Sequence, residues 1–169
     1  MFAPLQQLSR IVIETAEREL PARFNCRRGA RKTNGSLVTE ADLVMQAHLC
    51  AALREQWPDT TVLGEEMSQS DQQAALESPN SGIWCVDPLD GTSNFAAGIP
   101  YYAVSVALVK HGTPDIAVVY DPSRGECFAA ARGRGAWLNG ARLQKGPADT
   151  ALAEAVALID LKRLPTALA

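Results

Sequence analysis

The hydrophobic period of this chain turns from mainly helical to mainly strand-like at Ile83, and that change limits its fold more than any other feature. Upstream, apolar residues recur at helical spacing in two stretches. From Pro4 to Leu20 the positions Leu5, Leu8, Ile11, Val12, Thr15, Ala16 and Glu19 fall on one helical face, with Pro4 in the first turn and Pro21 as the stop. Thr39 to Trp57 reads as a second helix. Thr39 with Asp42 three residues later forms a short acidic version of a capping box, and Pro58 ends the run. Downstream the texture is that of strands. Ile83 to Val86, Tyr102 to Val109, Ile116 to Tyr120 and Cys127 to Ala131 are separated by the turns His111 to Pro114 and Asp121 to Gly125. Asn139-Gly140 marks a two-residue hairpin between Ala136-Trp137-Leu138 and Ala141-Arg142-Leu143.

Helices followed by hairpin-linked strands define an α+β class, here two N-terminal helices packed on an antiparallel β-sheet. Thr61-Val62-Leu63 adds a short strand, and Met67 to Asn80 is a polar helical excursion or loop. Near the end, Val156 to Ile159 reads as a strand and Asp160 to Ala169 as the opening of a new helix.

At 169 residues the chain fits one domain with a sound core. With 47% hydrophobic and 21% charged residues it is of the soluble globular class. A net charge of −3 gives no footprint for nucleic acid, which requires a clustered basic face. The local cluster Arg23, Arg27, Arg28, Arg31 and Lys32 reads first as a solvated loop. Cys26, Cys50, Cys85 and Cys127 form no C-x-x-C pair, so a zinc knuckle is excluded, and Cys50 and Cys85 suit inert buried thiols. A reducing cytoplasm is the expected location, with no signal peptide and no membrane-spanning run. His48 and His111 lack partners in sequence and read as structural or exposed.

The chemistry concentrates in two acidic pairs at strand ends. Asp87-Pro88-Leu89-Asp90-Gly91-Thr92 follows the strand Ile83 to Val86 on a turn, and Glu65-Glu66 follows Thr61 to Leu63. Asp87 and Asp90, three apart, can point into one space, with the Leu89 carbonyl facing inward and Glu65 completing a shared site. All-oxygen donors of this kind suit Mg2+, which keeps positions open for phosphate. Thr92 can hold a water, and Asp42 can accept from its hydroxyl. The competing structural reading is an Asx-type turn at Asp87 and a solvated edge at Glu65-Glu66. The Gly133-Arg134-Gly135 stretch lacks the lysine of a P-loop and reads as turn glycines.

These motifs resemble those of the inositol monophosphatase family of Mg2+-dependent, Li+-sensitive phosphatases. The resemblance rests on Val38-Thr39-Glu40-Ala41-Asp42, Gly64-Glu65-Glu66 and Trp84-Cys85-Val86-Asp87-Pro88-Leu89-Asp90-Gly91-Thr92-Ser93-Asn94-Phe95. Pro100 to Ser105 and Gly133 to Gly140 extend it in the same order. It implies the N-terminal part of a layered α/β sugar-phosphatase fold. Glu65, Asp87, the Leu89 carbonyl and Asp90 would be metal ligands. Glu65, Thr92 and Asp42 would be catalytic, with Thr92 holding a metal-activated water supported by Asp42. The Gly91 and Thr92 amides would meet the phosphate, and Glu66 would be a nearby supporting acid. Lys32 matches a basic residue near the site only loosely.

The cofactor implied is Mg2+, with Mn2+ as a substitute and Li+ as an inhibitor. The substrate would be inositol monophosphate or a related small phosphorylated metabolite, and a homodimer is expected, without nucleic acid or membrane. The family's second α/β half carries a Trp-Asp motif whose aspartate completes the second metal site, and no such motif follows Asp90 here. The expectation is an N-terminal metal-binding domain over residues 1–169, weak or inactive alone, with the C-terminal half absent. The alternatives are a non-catalytic metal-binding half-domain that pairs with another chain, and an aspartyl-nucleophile phosphatase, whose D-x-D-G-T loop is one residue shorter.

Overall fold

The computed structural model describes residues 1–26, 29–31, 37–78 and 82–144. Helix α1 (Ala3–Glu19) forms on the predicted face, with Leu5, Leu8 and Val12 fully buried. A 3-10 turn follows at Pro21–Arg23. Strands β1 (Gly29–Arg31) and β2 (Leu37–Thr39) make a small antiparallel hairpin that the sequence did not announce. Helix α2 (Glu40–Gln56) starts at Thr39 as N-cap and buries Met45, Leu49 and Leu53. Burying each such side chain stabilises by about 1.5–3 kcal/mol before entropy is counted.

Among the described residues, the main sheet has seven strands in sequence order: β3 (Thr61–Gly64), β4 (Ile83–Asp90), β5 (Ala103–Lys110), β6 (Thr113–Asp121), β7 (Glu126–Ala131), β8 (Gly135–Leu138) and β9 (Ala141–Arg142). Between them lie α3 (Gln69–Leu76) and α4 (Thr92–Ala97). Every neighbouring pair is antiparallel except β3 and β4, which run parallel, so the sheet is mixed rather than wholly antiparallel. A parallel pair needs a long crossover, and the polar segment that includes α3 supplies it.

Helices α1 and α2 pack together and onto one face of this sheet. Strict alternation on β5 sends Val104, Val106 and Leu108 under the helices, joined by Trp84 and Val86 of β4 and Val118 of β6. The opposite face carries half-buried Leu63, Cys85 and Ala107 and the 40%-exposed Val119 and Phe128. Among the described residues, no helix is long and apolar enough to cross a membrane.

Three expectations need correction. Asp87 to Asp90 is not a turn beyond the strand but its last residues, with a register shift against β5 between Asp87 and Asp90. Cys85 is only half-buried, although burial does push its thiol up; Cys50 is buried as expected. His48 does have a partner: its Nδ1 lies 2.8 Å from Glu19 Oε1. The Val156 to Ile159 strand, the Asp160 to Ala169 helix and Lys32 lie outside the described residues.

Candidate active site

Parallel pairing of β3 with β4 sets Gly64 opposite Val86, which brings Glu65 beside Asp87. The Glu65 N–H donates to the Val86 carbonyl at 3.0 Å, so the acidic turn continues the ladder by one bond. The bulge after Asp87 then redirects β4. The Leu89 N–H donates to Asp87 Oδ1 at 3.1 Å, the local Asx-type bond that the sequence allowed. The Leu89 side chain is buried while Asp90 is exposed.

Gly91 makes the corner. Its φ is +85°, and a Cβ there would stand 2.8 Å from the Tyr101 carbonyl oxygen. Helix α4 begins directly after it at Thr92. It is pinned by Phe95, fully buried and edge-on to Tyr102 at 4.8 Å, with Phe24 at 5.4 Å on another side. Asn94 Nδ2 donates to the Tyr101 carbonyl at 2.9 Å. The Asn94-Phe95 part of the motif therefore anchors the backbone that presents Thr92.

Asp42, 1% exposed, occupies the first turn of α2. The Thr39 N–H and Oγ1 both donate to Asp42 Oδ2, at 2.7 and 2.6 Å. That leaves Oδ1 to accept from Thr92 Oγ1 at 2.8 Å. The same hydroxyl lies 3.0 Å from the Leu89 carbonyl oxygen. A hydroxyl has one proton and two lone pairs. Donating that proton to Asp42 leaves the Thr92 lone pairs free to accept from a water and the Leu89 carbonyl free to ligate.

Glu65, Asp87, the Leu89 backbone and Asp90 line one open cavity of about 420 Å3 with Gly91 and Thr92. Glu65 and Asp87 also border a cavity of about 380 Å3 on the open sheet face. The Asp87 carboxyl is pushed up to about 7, first by burial and then by the Glu65 and Asp90 charges, against the Leu89 N–H bond that lowers it.

Among the described residues, no three His, Cys, Asp or Glu side chains are gathered tightly enough to hold an ion as they stand. The donor chemistry nonetheless fits Mg2+. Three carboxylates and a carbonyl supply hard oxygen only, and a cation among them would offset the burial and like charge that push the Asp87 carboxyl up.

Two further residues shape the site and were not found by motif. Gln46 Oε1 accepts the Glu66 N–H at 2.7 Å. Gln72 Nε2 donates to the Glu65 carbonyl at 3.0 Å and to that of Met67 at 3.3 Å. Gln46 follows Asp42 by four residues, so helical spacing alone put both on one face. Nothing in sequence marked Gln72.

This mixed α+β layer with acidic strand ends and a carboxylate-held threonine has the fold of solved inositol monophosphatases. The chain belongs to the inositol monophosphatase family, whose profile matches residues 1–164. It is similar to the Nus factor SuhB of Pasteurella multocida, with 40% identity over 67% of this chain and 40% of the relative. The Nus factor SuhB of Pseudomonas aeruginosa is 44% identical over 63% of this chain and 38% of its own. Among solved structures, the Thermotoga maritima IMPase superposes with a TM-score of 0.73 at 27% identity, covering 85% of this chain and 54% of that one. A dual-specific IMPase/NADP phosphatase bound with D-inositol-1-phosphate gives 0.58 at 29% identity, over 66% and 42%. The chain thus spans about two fifths of the length of the curated relatives it matches.

Proposed function

We propose that this chain carries the metal- and phosphate-binding part of a Mg2+-dependent phosphatase acting on inositol monophosphate or a related small phosphate monoester. The observation that carries this reading is the Thr92–Asp42 hydrogen bond beside the Glu65, Asp87 and Asp90 carboxylates. When bound, the cation supplies Lewis-acid polarisation of the phosphoryl group and lowers the pKa of a water. Glu65, Asp87, the Leu89 carbonyl and Asp90 are the residues that would hold it. Asp42 takes the Thr92 proton, so the Thr92 oxygen accepts from the attacking water and aims it. Glu65, which lines the same cavity as Thr92, would be the base that accepts a proton from that water. The Gly91 and Thr92 amides meet the phosphate, and Glu66 supports the turn. Mn2+ would substitute for Mg2+, and Li+ would inhibit.

Turnover by these 169 residues alone is expected to be weak, and the partner we propose besides substrate is a second copy of the chain. Sedimentation mass checks the latter. Four thiols without disulfide partners support a cytoplasmic location. The test of function is Mg2+-dependent phosphate release from inositol 1-phosphate, a nucleotide 3′-phosphate and fructose 1,6-bisphosphate, with Asp90→Asn as control. Release that survives Asp90→Asn, or that needs no divalent cation, would overturn the reading.

A second reading is non-catalytic, favoured by the name Nus factor on relatives at 40% identity, which suggests a transcription-related role. In that case the chain acts by association with another macromolecule. Stable cation binding with no release from any of the three substrates would support it.

A further inference from the structure

Helix α2 sets two edges of the candidate site at once. Asp42 holds Thr92, and one helical turn later Gln46 reaches the other acidic pair. Gln46 Oε1 accepts the Glu66 N–H at 2.7 Å across twenty residues of sequence. Only the carbonyl end of the amide can accept from a backbone N–H, so the orientation of this side chain is fixed by its partner.

The room for it comes from Gly64. A Cβ at Gly64 would lie 2.4 Å from Gln46 Oε1 and 2.6 Å from its Cδ. The Gln46 side chain therefore lies across the end of β3 where any other residue would stand. From a second direction Gln72 Nε2 donates to the Glu65 carbonyl at 3.0 Å. The turn that carries Glu65 is held between two neutral amides. Neutrality matters here, because the turn already faces Asp87 and Asp90, and both amides anchor it without adding a charge.

We propose that Gln46 is a positioning residue: it ties the Glu65–Glu66 turn to α2, so that the Glu65 carboxylate faces Asp87 at a spacing set by the same helix that holds Thr92 through Asp42. The proposal deepens the phosphatase reading and rests on it for the role of Glu65.

The experiment compares wild type, Gln46→Ala and Gln46→Glu by two measurements on the whole chain. The first is amide hydrogen exchange at Glu66, referenced to the core amide of Val106. The second is Mn2+ affinity by titration with the metal alone. Gln46→Ala should speed exchange at Glu66 by roughly tenfold with Val106 unchanged. It should also weaken Mn2+ binding by roughly tenfold, the low end for an outer-shell partner. Gln46→Glu keeps an acceptor oxygen and should restore slow exchange at Glu66, the readout of rescue, while its added charge acts on Mn2+ affinity separately. Unchanged exchange at Glu66 in Gln46→Ala would overturn the proposal. So would faster exchange with unchanged Mn2+ affinity, which would make the bond merely structural. If wild type binds no Mn2+, the cation-dependent reading falls, and the Glu66 exchange result alone decides whether Gln46 holds the turn.

Discussion

Thr92 Oγ1 donates to Asp42 Oδ1 at 2.8 Å across fifty residues of sequence, and Asp42 has no freedom to turn away, because Thr39 fills its other oxygen with two donors. The direction of the Thr92 proton is therefore decided by the cap of α2, an element that carries none of the proposed ligands.

Asp42→Asn should reverse that hydroxyl. With the amide oxygen kept on the two Thr39 donors, the NH2 faces Thr92, whose proton must then go to the Leu89 carbonyl. The expected outcome is a loss of about 1–3 kcal/mol in urea unfolding, because hydrogen bonds to a buried carboxylate become bonds to a neutral amide. Mg2+-dependent phosphate release should fall by about a hundredfold or more. Release at the wild-type rate would show that Asp42 only caps the helix.

Mg2+ should raise the melting temperature of the wild-type chain. At a hundredfold excess over its dissociation constant, a ligand specific for the folded state adds about 2.7 kcal/mol. Asp90→Asn should abolish the rise while leaving the cation-free melting temperature near that of wild type, since Asp90 is exposed. A Mg2+ shift of equal size in both proteins would place the cation elsewhere.

Gly64→Ala should be cheap for stability and costly for the site. The added methyl meets the far end of the flexible Gln46 side chain, which can swing away, so the unfolding free energy should fall by no more than about 1 kcal/mol. Glu66 amide exchange should rise as in Gln46→Ala. In the double variant the two effects should not add, since they remove the same bond.

Gly91→Ala should behave in the opposite way. Its φ of +85° disfavours any side chain, and the Cβ would press on the Tyr101 backbone, which cannot swing aside. A loss of about 1–3 kcal/mol in urea unfolding is expected, together with loss of any Mg2+-induced stabilisation.

Stability should fall in acid through Glu19. This buried carboxyl is held below its ordinary value, first by the Arg18 hydrogen bond and also by His48, against burial that raises it. Arg23 Nη1 lies 3.1 Å from the other Glu19 carboxylate oxygen. A lowered folded pKa means that the stabilising contribution is complete above the unfolded value of 4.5 and is lost as pH falls through the folded one. Urea midpoints from pH 7 to pH 3 should therefore drop more steeply for wild type than for Glu19→Gln. Parallel curves would contradict this.

Much of the fold was legible because local periodicity and turn chemistry are local facts. The α1 face, the Thr39–Asp42 cap, the alternation of β5 and the Asn139-Gly140 hairpin each rest on residues a few positions apart. Helix α4 was not legible, since six residues after a glycine carry too little period to read. The parallel pairing of β3 with β4 was missed for a related reason, because strand direction depends on where a crossover lands.

The sequence by itself determined which residues are the candidates for the chemistry: the acidic pairs, the Gly91-Thr92 corner and Asp42 stand in motifs a few residues long. Tertiary structure alone decided how they meet. Parallel register put Glu65 against Asp87, the bulge after Asp87 redirected the strand that carries Asp90, and α2 lent Asp42 to Thr92 and Gln46 to the Glu66 turn. The physical reason is that these contacts join groups some twenty to fifty residues apart. Their geometry is set by packing of the shared core under α1 and α2, which no local pattern encodes.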